Sequence, residues 1–294
     1  MGGIYCSARA GIFHRMTPDS GPAPLARARA ACLLLCLGLA ACYRGTVNYA
    51  DIPGPRFAGP SATTPAGPAP GSIRVVTWNV QWGERAEAAA ELLATHPQLR
   101  DADILVVQEL DEHSAATIAG RLGMGYVYYP ATLHPRTRRH FGTAILSPWP
   151  LTDDRKLILP HLARFVGTAR AAVVATALIG EHRVRVYGLH LATSLGVGPR
   201  GIEDQLREVR ADAQGAVDPV VVAGDLNSST AGGILAEAGY LWVTRYVGPT
   251  TRLLPLDHIF VRGLPEAPGE TGVVKLDDLP SDHRPVWAVL RLAP

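Results

Sequence analysis

Side chains able to hold a metal or move a proton recur at the ends of short apolar runs in this chain. The run 75–78 leads into Asn79, 104–108 into Glu109, 184–189 into His190, and 220–224 into Asp225-Leu226-Asn227. Asp257 opens a late strand, and Asp282-His283 opens the last, "PVWAVL". One carboxylate at a strand end is usually a solvated cap. Six strand ends in one domain, carrying carboxylates, amides and imidazoles, are poorly explained that way. Hard oxygen donors with amides beside them suit Mg²⁺ or Mn²⁺ rather than zinc. Such a set could bind a hard metal ion and transfer protons.

These residues need rigid mounts, and hydropathy patterning supplies them. Strands are expected at "SIRVVTWNV", "ADILVVQEL", "YVYYP", "TAILS", "ARAAVVATALIG", "HRVRVYGLHLA", "PVVVAG", "LDHIFV" and "PVWAVL". Helices are expected at "ERAEAAAELLATH", around "SAATIAGRL", over "GIEDQLREVRADAQ" and at "AGGILAEAG". Glu181-His182 marks a hairpin between two of the strands. Hairpins mixed with helical crossovers imply an α+β domain of two packed mixed sheets with helices outside.

In this order the blocks "TWNV", "VVQEL", "GTAILS", "GLHL", "GDLN", "LDHIFV" and "SDHRPVWA" resemble the endonuclease/exonuclease/phosphatase superfamily, which includes deoxyribonuclease I-like nucleases, neutral sphingomyelinases and inositol polyphosphate phosphatases. The resemblance runs from Ile73 to about Leu292. It implies a four-layer α/β/β/α sandwich with its site at one edge of the paired sheets. By the same resemblance Glu109 is the principal metal ligand, with Asn79 and Asp282 around the same metal. Asp225 and Asn227 correspond to the pair handling the attacking water and a phosphate oxygen. Asp257 corresponds to the carboxylate orienting His283, and His190 to a second histidine on the phosphate or leaving group. The implied reaction is Mg²⁺- or Mn²⁺-dependent hydrolysis of a phosphate ester, foremost a phosphodiester, with nucleic acid, phospholipid head group or sugar phosphate as the substrate. A nuclease is the alternative enzyme, and an inactive binding module on the same fold the alternative of another class. No carboxylate partner for His190 of the deoxyribonuclease type is evident, which counts against that branch more than against hydrolysis.

Further cations are weaker candidates. Arg136, Arg138 and Arg139 in "HPRTRRH" read most simply as a solvated loop, although the family places substrate near this point. Arg170, at a strand start, is a similar candidate for a phosphate contact. His258 follows Asp257, and successive strand side chains face opposite ways, so it falls outside the site.

The chain has 294 residues, 47% of them hydrophobic, enough for one large domain with a proper core. Of its 28 Lys and Arg, six precede Ile73 against Asp19 and Asp51, so the remainder carries a slight negative excess. That excludes gripping nucleic acid by bulk charge alone. All four cysteines, Cys6, Cys32, Cys36 and Cys42, precede the domain, which excludes a disulfide framework or cysteine-based zinc site inside it.

"ARARAACLLLCLGLAACYRG" has the order of a secretory signal, with an apolar run far short of the ~20 residues of a spanning helix. Leu39-Ala40-Ala41-Cys42 resembles a bacterial lipobox. This implies a signal peptide over 1–41, a lipidated Cys42, and, because Tyr43 is not Asp, the outer membrane; Met1 and Met16 both remain as starts. The Pro/Gly/Ala-rich stretch 42–72 is expected to be a disordered tether, the domain occupying 73–294 as a monomer.

Overall fold

Two β-sheets carry the chain's functional strand ends, and alternation along each strand decides which side chains face the other sheet. The computed structural model describes residues 46–60, 71–135, 137–264 and 270–292. The strands are β1 (Val47–Asn48), β2 (Phe57–Ala58), β3 (Ser72–Asn79), β4 (Ile104–Leu110), β5 (Gly125–Leu133), β6 (His140–Ser147), β7 (Leu151–Ile158), β8 (Ala171–Ile179), β9 (His182–His190), β10 (Val220–Asp225), β11 (Leu241–Trp242), β12 (Asp257–Arg262), β13 (Thr271–Val273) and β14 (Val286–Arg291). The helices are α1 (Ala86–Thr95), α2 (Glu112–Leu122), α3 (Ser194–Ala213) and α4 (Gly233–Glu237).

The first sheet runs β1-β5-β6-β4-β3-β14-β13, with β2 also on β5, and the second runs β11-β12-β10-β9-β8-β7. Val75, Val106 and Ile145 of the first sheet bury against Val173, Val186, Val221 and Ile259 of the second. The alternate residues Val76, Leu105 and Val107 pack under Leu93 of α1 and Ile118 of α2. On the far side Val220, Val222 and Phe260 pack under Leu206 and Val209 of α3 and Leu235 of α4. Three apolar seams between four layers give the expected α/β/β/α sandwich.

Helix limits follow local chemistry. Asp111 caps α2 by accepting from the Ser114 backbone N–H, and Gly123 closes the helix in a left-handed conformation (φ 66°). In α3 the chain kinks at Gly198 (φ 77°) ahead of Pro199, so the regular part begins close to the expected Gly201.

The structure corrects the expectation of a tether before Ile73. β1 and β2 pair antiparallel with β5, Val47 opposite Leu133 and Phe57 opposite Tyr128. The buried ammonium of Lys156, on β7, donates to the carbonyls of Tyr49 and Gly54 at 2.7 and 2.6 Å. Arg56 pairs with Asp154, and Asn48 bonds both Gly167 and Ala169. A Pro/Gly-rich composition does not prevent pairing when a sheet edge and a buried cation wait for backbone groups. The expected signal peptide over 1–41 and the expected lipidation site Cys42 lie outside the described residues.

Candidate active site

Register brings the polar strand ends together. Asp225 at the end of β10 stands opposite His190 on parallel β9 and opposite Asp257 on antiparallel β12. The spacing from Val221 and Ala223, both facing the other sheet, points Asp225 the same way. Gly224 precedes it at φ 150°, where a Cβ would lie 2.0 Å from the Leu189 carbonyl oxygen, so the glycine of "GDLN" permits this close strand approach. Asn79 ends β3 in the facing sheet. Its Nδ2 donates to Glu109 Oε1 at 3.0 Å and to Asp225 Oδ2 at 3.1 Å, which links the two sheets.

Glu109 reaches this row through a β-bulge. Pairing of β4 with β6 slips between Gln108 and Leu110, and Glu109 adopts φ 58°. Leu105, Val107 and Leu110 all face the helices, so the extra residue leaves Glu109 on the Asn79 side. Simple alternation would have turned it away.

His283 and Asp257 form the second element of the site. The imidazole Nδ1 donates to Asp257 Oδ2 at 2.8 Å, and Thr250 Oγ1 donates to the same oxygen at 2.6 Å. His283 Nε2 then faces Asp225 Oδ2 at 3.8 Å. Ser281 fixes the approach by donating to the Asn79 carbonyl while accepting from the His283 backbone. Burial opposes the charge on His283, but Asp257, Asp225 and Asp282 outweigh it and raise its pKa to about 10. Burial and the Asp257 charge lift Asp225 to about 7, a value at which a carboxylate can take a proton near neutrality.

His190 Nε2 lies 3.6 Å from both Glu109 Oε1 and Asp225 Oδ2. Among the described residues its buried Nδ1 has no hydrogen-bond partner, and none of them supplies it a carboxylate of the deoxyribonuclease type. Burial, then the charges of Arg170 and His283, hold this imidazole neutral, well below the ordinary histidine range. Asn227 (φ 48°) donates its backbone N–H to Asp225 Oδ1 at 2.7 Å and its amide to the Leu191 carbonyl. Arg170 lies over the Phe141 ring, 5.1 Å from its centroid, and its charge interacts with those of Glu109, Asp225 and His190. Among the described residues its guanidinium takes no hydrogen bond or ion pair, leaving its donors for a ligand.

Two assignments change. The Asn79 side-chain oxygen accepts from the Gln81 backbone N–H at 3.0 Å, and because a backbone N–H can only donate, this fixes the amide's orientation. Asn79 therefore enters the site as a donor that positions two carboxylates, with one lone pair of its oxygen already engaged by Gln81. Arg139 donates to Asp111 at the start of α2, and the charge of Arg138 bears on Tyr49. The loop arginines are thus engaged outside the carboxylate cluster, and Arg136 lies outside the described residues. Asp282 is exposed, but near enough for its charge to raise the pKa of Glu109, whose largest push comes from burial.

Asp225, Asp257 and His283 also lie within 4.8 Å of one another through potential ligand atoms. The hydrogen bond between His283 and Asp257 occupies Nδ1, so this trio reads better as a proton-handling group. Glu109, close enough to feel the Asp282 charge, offers hard oxygen donors of the type a divalent cation takes. His258 is elsewhere, accepting from Trp242 Nε1 and facing the Pro255 carbonyl. Sequence reasoning missed Thr250, which sits in a loop with no motif of its own, and Gln81.

Residues 76–283 match the sequence model of the Endonuclease/Exonuclease/phosphatase family. The chain belongs to that family. It is accordingly a hydrolase acting on ester bonds. No curated protein sequence matches it. Among solved structures, an endonuclease/exonuclease/phosphatase from Beutenbergia cavernae is similar at TM-score 0.63 and 20% identity, covering 76% of this chain and 72% of the other. A D. rerio TDP2 humanized by 14 mutations gives TM-score 0.60 and 19% identity over 76% and 100% of the two chains. The human Nocturnin catalytic domain, solved with bound sulfate anion, gives 0.57 and 19% over 81% and 98%. At these identities the likeness speaks to the fold.

Proposed function

We propose that the protein is a Mg²⁺- or Mn²⁺-dependent phosphodiesterase, secreted, monomeric, and held at the outer membrane by lipid on Cys42. The observation that carries the reaction is the row His190, Asp225 and Asp257, set side by side by strand register and closed by His283 and Glu109. Anchoring is supported by the lipobox-like "LAAC" and the apolar run before it.

A divalent ion on Glu109 and Asp282 would neutralise the non-bridging phosphate oxygens. Asp225, turned by the Asn227 backbone and Asn79, takes the proton of the attacking water as its oxygen bonds to phosphorus. His283, held by Asp257, donates Nε2–H to the charge developing on the phosphoryl group. Arg170 and the Asn227 amide fix the substrate phosphate, and the ester oxygen opposite the water departs. Loss of a His190 carboxylate partner distinguishes this arrangement from a deoxyribonuclease-type site and favours small or lipid-linked diesters over duplex DNA.

Hydrolysis of bis-p-nitrophenyl phosphate, with and without Mg²⁺ or Mn²⁺, tests the reaction. A panel of plasmid DNA, RNA, phospholipids and phosphomonoesters then ranks the substrates. Metal-independent release, or none with any ester, would remove this reading. For the anchor, fatty-acid label should enter the wild type and not Cys42→Ser, and label confined to the inner membrane would refute the destination alone.

A further inference from the structure

Beside the carboxylate cluster lies a pocket of about 310 Å³, bordered by Glu109 and Arg170 at its polar end. Trp82, His134 and Phe141 form its aromatic lining, with ring centroids 4.3 to 5.6 Å apart. Phe165 and Leu195, half and three-quarters exposed, complete it. This is an unusual concentration of rings in a chain with 6% aromatic residues. Trp82 is held there at φ 64°, a conformation bulky residues rarely adopt, so the local backbone is bent to present that ring.

Folding alone does not account for the arrangement. Phe165 and Leu195 bury little of their apolar surface, and large exposed side chains grouped at a cavity mouth mark a binding surface more often than scattered ones do. The volume sits at the low end of the roughly 300–1,000 Å³ of small-molecule sites, which suits one compact group. Its charge is graded: apolar along the walls, cationic at Arg170, metal-compatible at Glu109.

We propose that this pocket receives an aromatic ring, a nucleobase or an aryl group, carried on the phosphate that Arg170 and the metal-binding carboxylates hold. This deepens the phosphodiesterase reading and rests on it for the position of the phosphate. A ring-lined wall prefers a flat ring to a saturated one of equal size, because edge and face contacts between rings add to plain burial. Burial alone would rank the two the other way, since the saturated ring is the more apolar.

The test is calorimetric titration of phenyl-, cyclohexyl- and methylphosphonate into the full domain with Mg²⁺, comparing wild type with Phe165→Leu and Phe165→Ala. Phe165 is half exposed, so both variants should fold, and thermal melts check this. Phenylphosphonate should bind roughly three- to tenfold more tightly than cyclohexylphosphonate, as ring contacts of that kind predict. Phe165→Leu, which keeps apolar bulk, should narrow that preference while retaining preference over methyl, because Trp82, His134 and Phe141 remain; Phe165→Ala should weaken binding of both rings. Equal binding of all three, binding of none, tighter binding of cyclohexylphosphonate, or a phenylphosphonate affinity unchanged in both variants would overturn the proposal. A ring preference narrowed in Phe165→Leu, in a protein that hydrolyses no phosphodiester, would keep the pocket and remove the parent reading.

Discussion

His283 and Asp257 are joined at 2.8 Å although they belong to opposite sheets of the sandwich, one at the mouth of β14 and the other opening β12. Asn79 and Asp225 make a second crossing of the same kind at 3.1 Å. At this edge polar bonds between the sheets replace the apolar contacts found deeper. The site is therefore held by both halves of the fold at once, and its geometry depends on their packing.

Asp257→Asn keeps the shape of the side chain but loses the charge that orients and protonates His283. Turnover should fall by roughly 10²–10³-fold, the usual range for a lost proton-transfer group. Metal affinity, read by titrating Mg²⁺ against activity, should stay near wild type. Activity within threefold of wild type would show that the pair has no part in catalysis.

Glu109 and Asn79 touch through a single hydrogen bond, yet their replacements should differ. Glu109→Ala removes a ligand and should weaken Mg²⁺ at least roughly tenfold, so excess metal restores part of the rate. Asn79→Ala removes a donor that aims Asp225, and excess metal should not restore its rate. Equal rescue of both would return Asn79 to the ligand set.

Sequence blocks reveal the strand ends because each functional residue closes an apolar run whose alternation is plain, as in Val221, Ala223 and Asp225. Position along the chain could not show that Glu109 reaches the row only through a bulge, since a register slip is a property of two strands. Nor could it show Thr250 under Asp257, a loop residue whose role exists only after β12 and β14 meet. The region before Ile73 misled for a related reason. Its composition resists a core, but β1 and β2 need only the open edge of β5 and the carbonyl-seeking ammonium of Lys156. The charged β7 went unread because Asp153, Asp154, Arg155 and Lys156 break its apolar pattern.

The docked segment changes what truncation should do. A protein starting near Ser72 removes the Tyr49 and Gly54 carbonyls from Lys156, each charge-assisted bond contributing about 1.5–3 kcal/mol. The melting temperature should drop by several degrees, given about 2–4 °C per kcal/mol for a domain of this size. Starting at Thr46 should leave it unchanged. Equal melting temperatures for the two starts would mean that the segment does not stay docked in solution.

Docking of that segment should also depend on pH through Asp154. Its carboxylate accepts two bonds from Arg56, at 2.6 and 2.9 Å, and one from Tyr129 at 2.7 Å. The Arg56 bond is the main reason its pKa lies below the ordinary 3.8, with burial opposing and Tyr129 assisting. A depressed folded value means that the contribution is fully present above the unfolded pKa and disappears as pH falls through the folded one. Segment contacts should accordingly hold at pH 5 and above and loosen below about pH 4. Hydrogen exchange at Val47–Asn48 and Phe57–Ala58, corrected for the intrinsic pH dependence of exchange, reads this directly. Asp154→Asn should give at neutral pH the raised exchange that the wild type shows only in acid. Exchange in the variant that matched wild type at pH 7 would show that the Arg56 pair does not hold the segment.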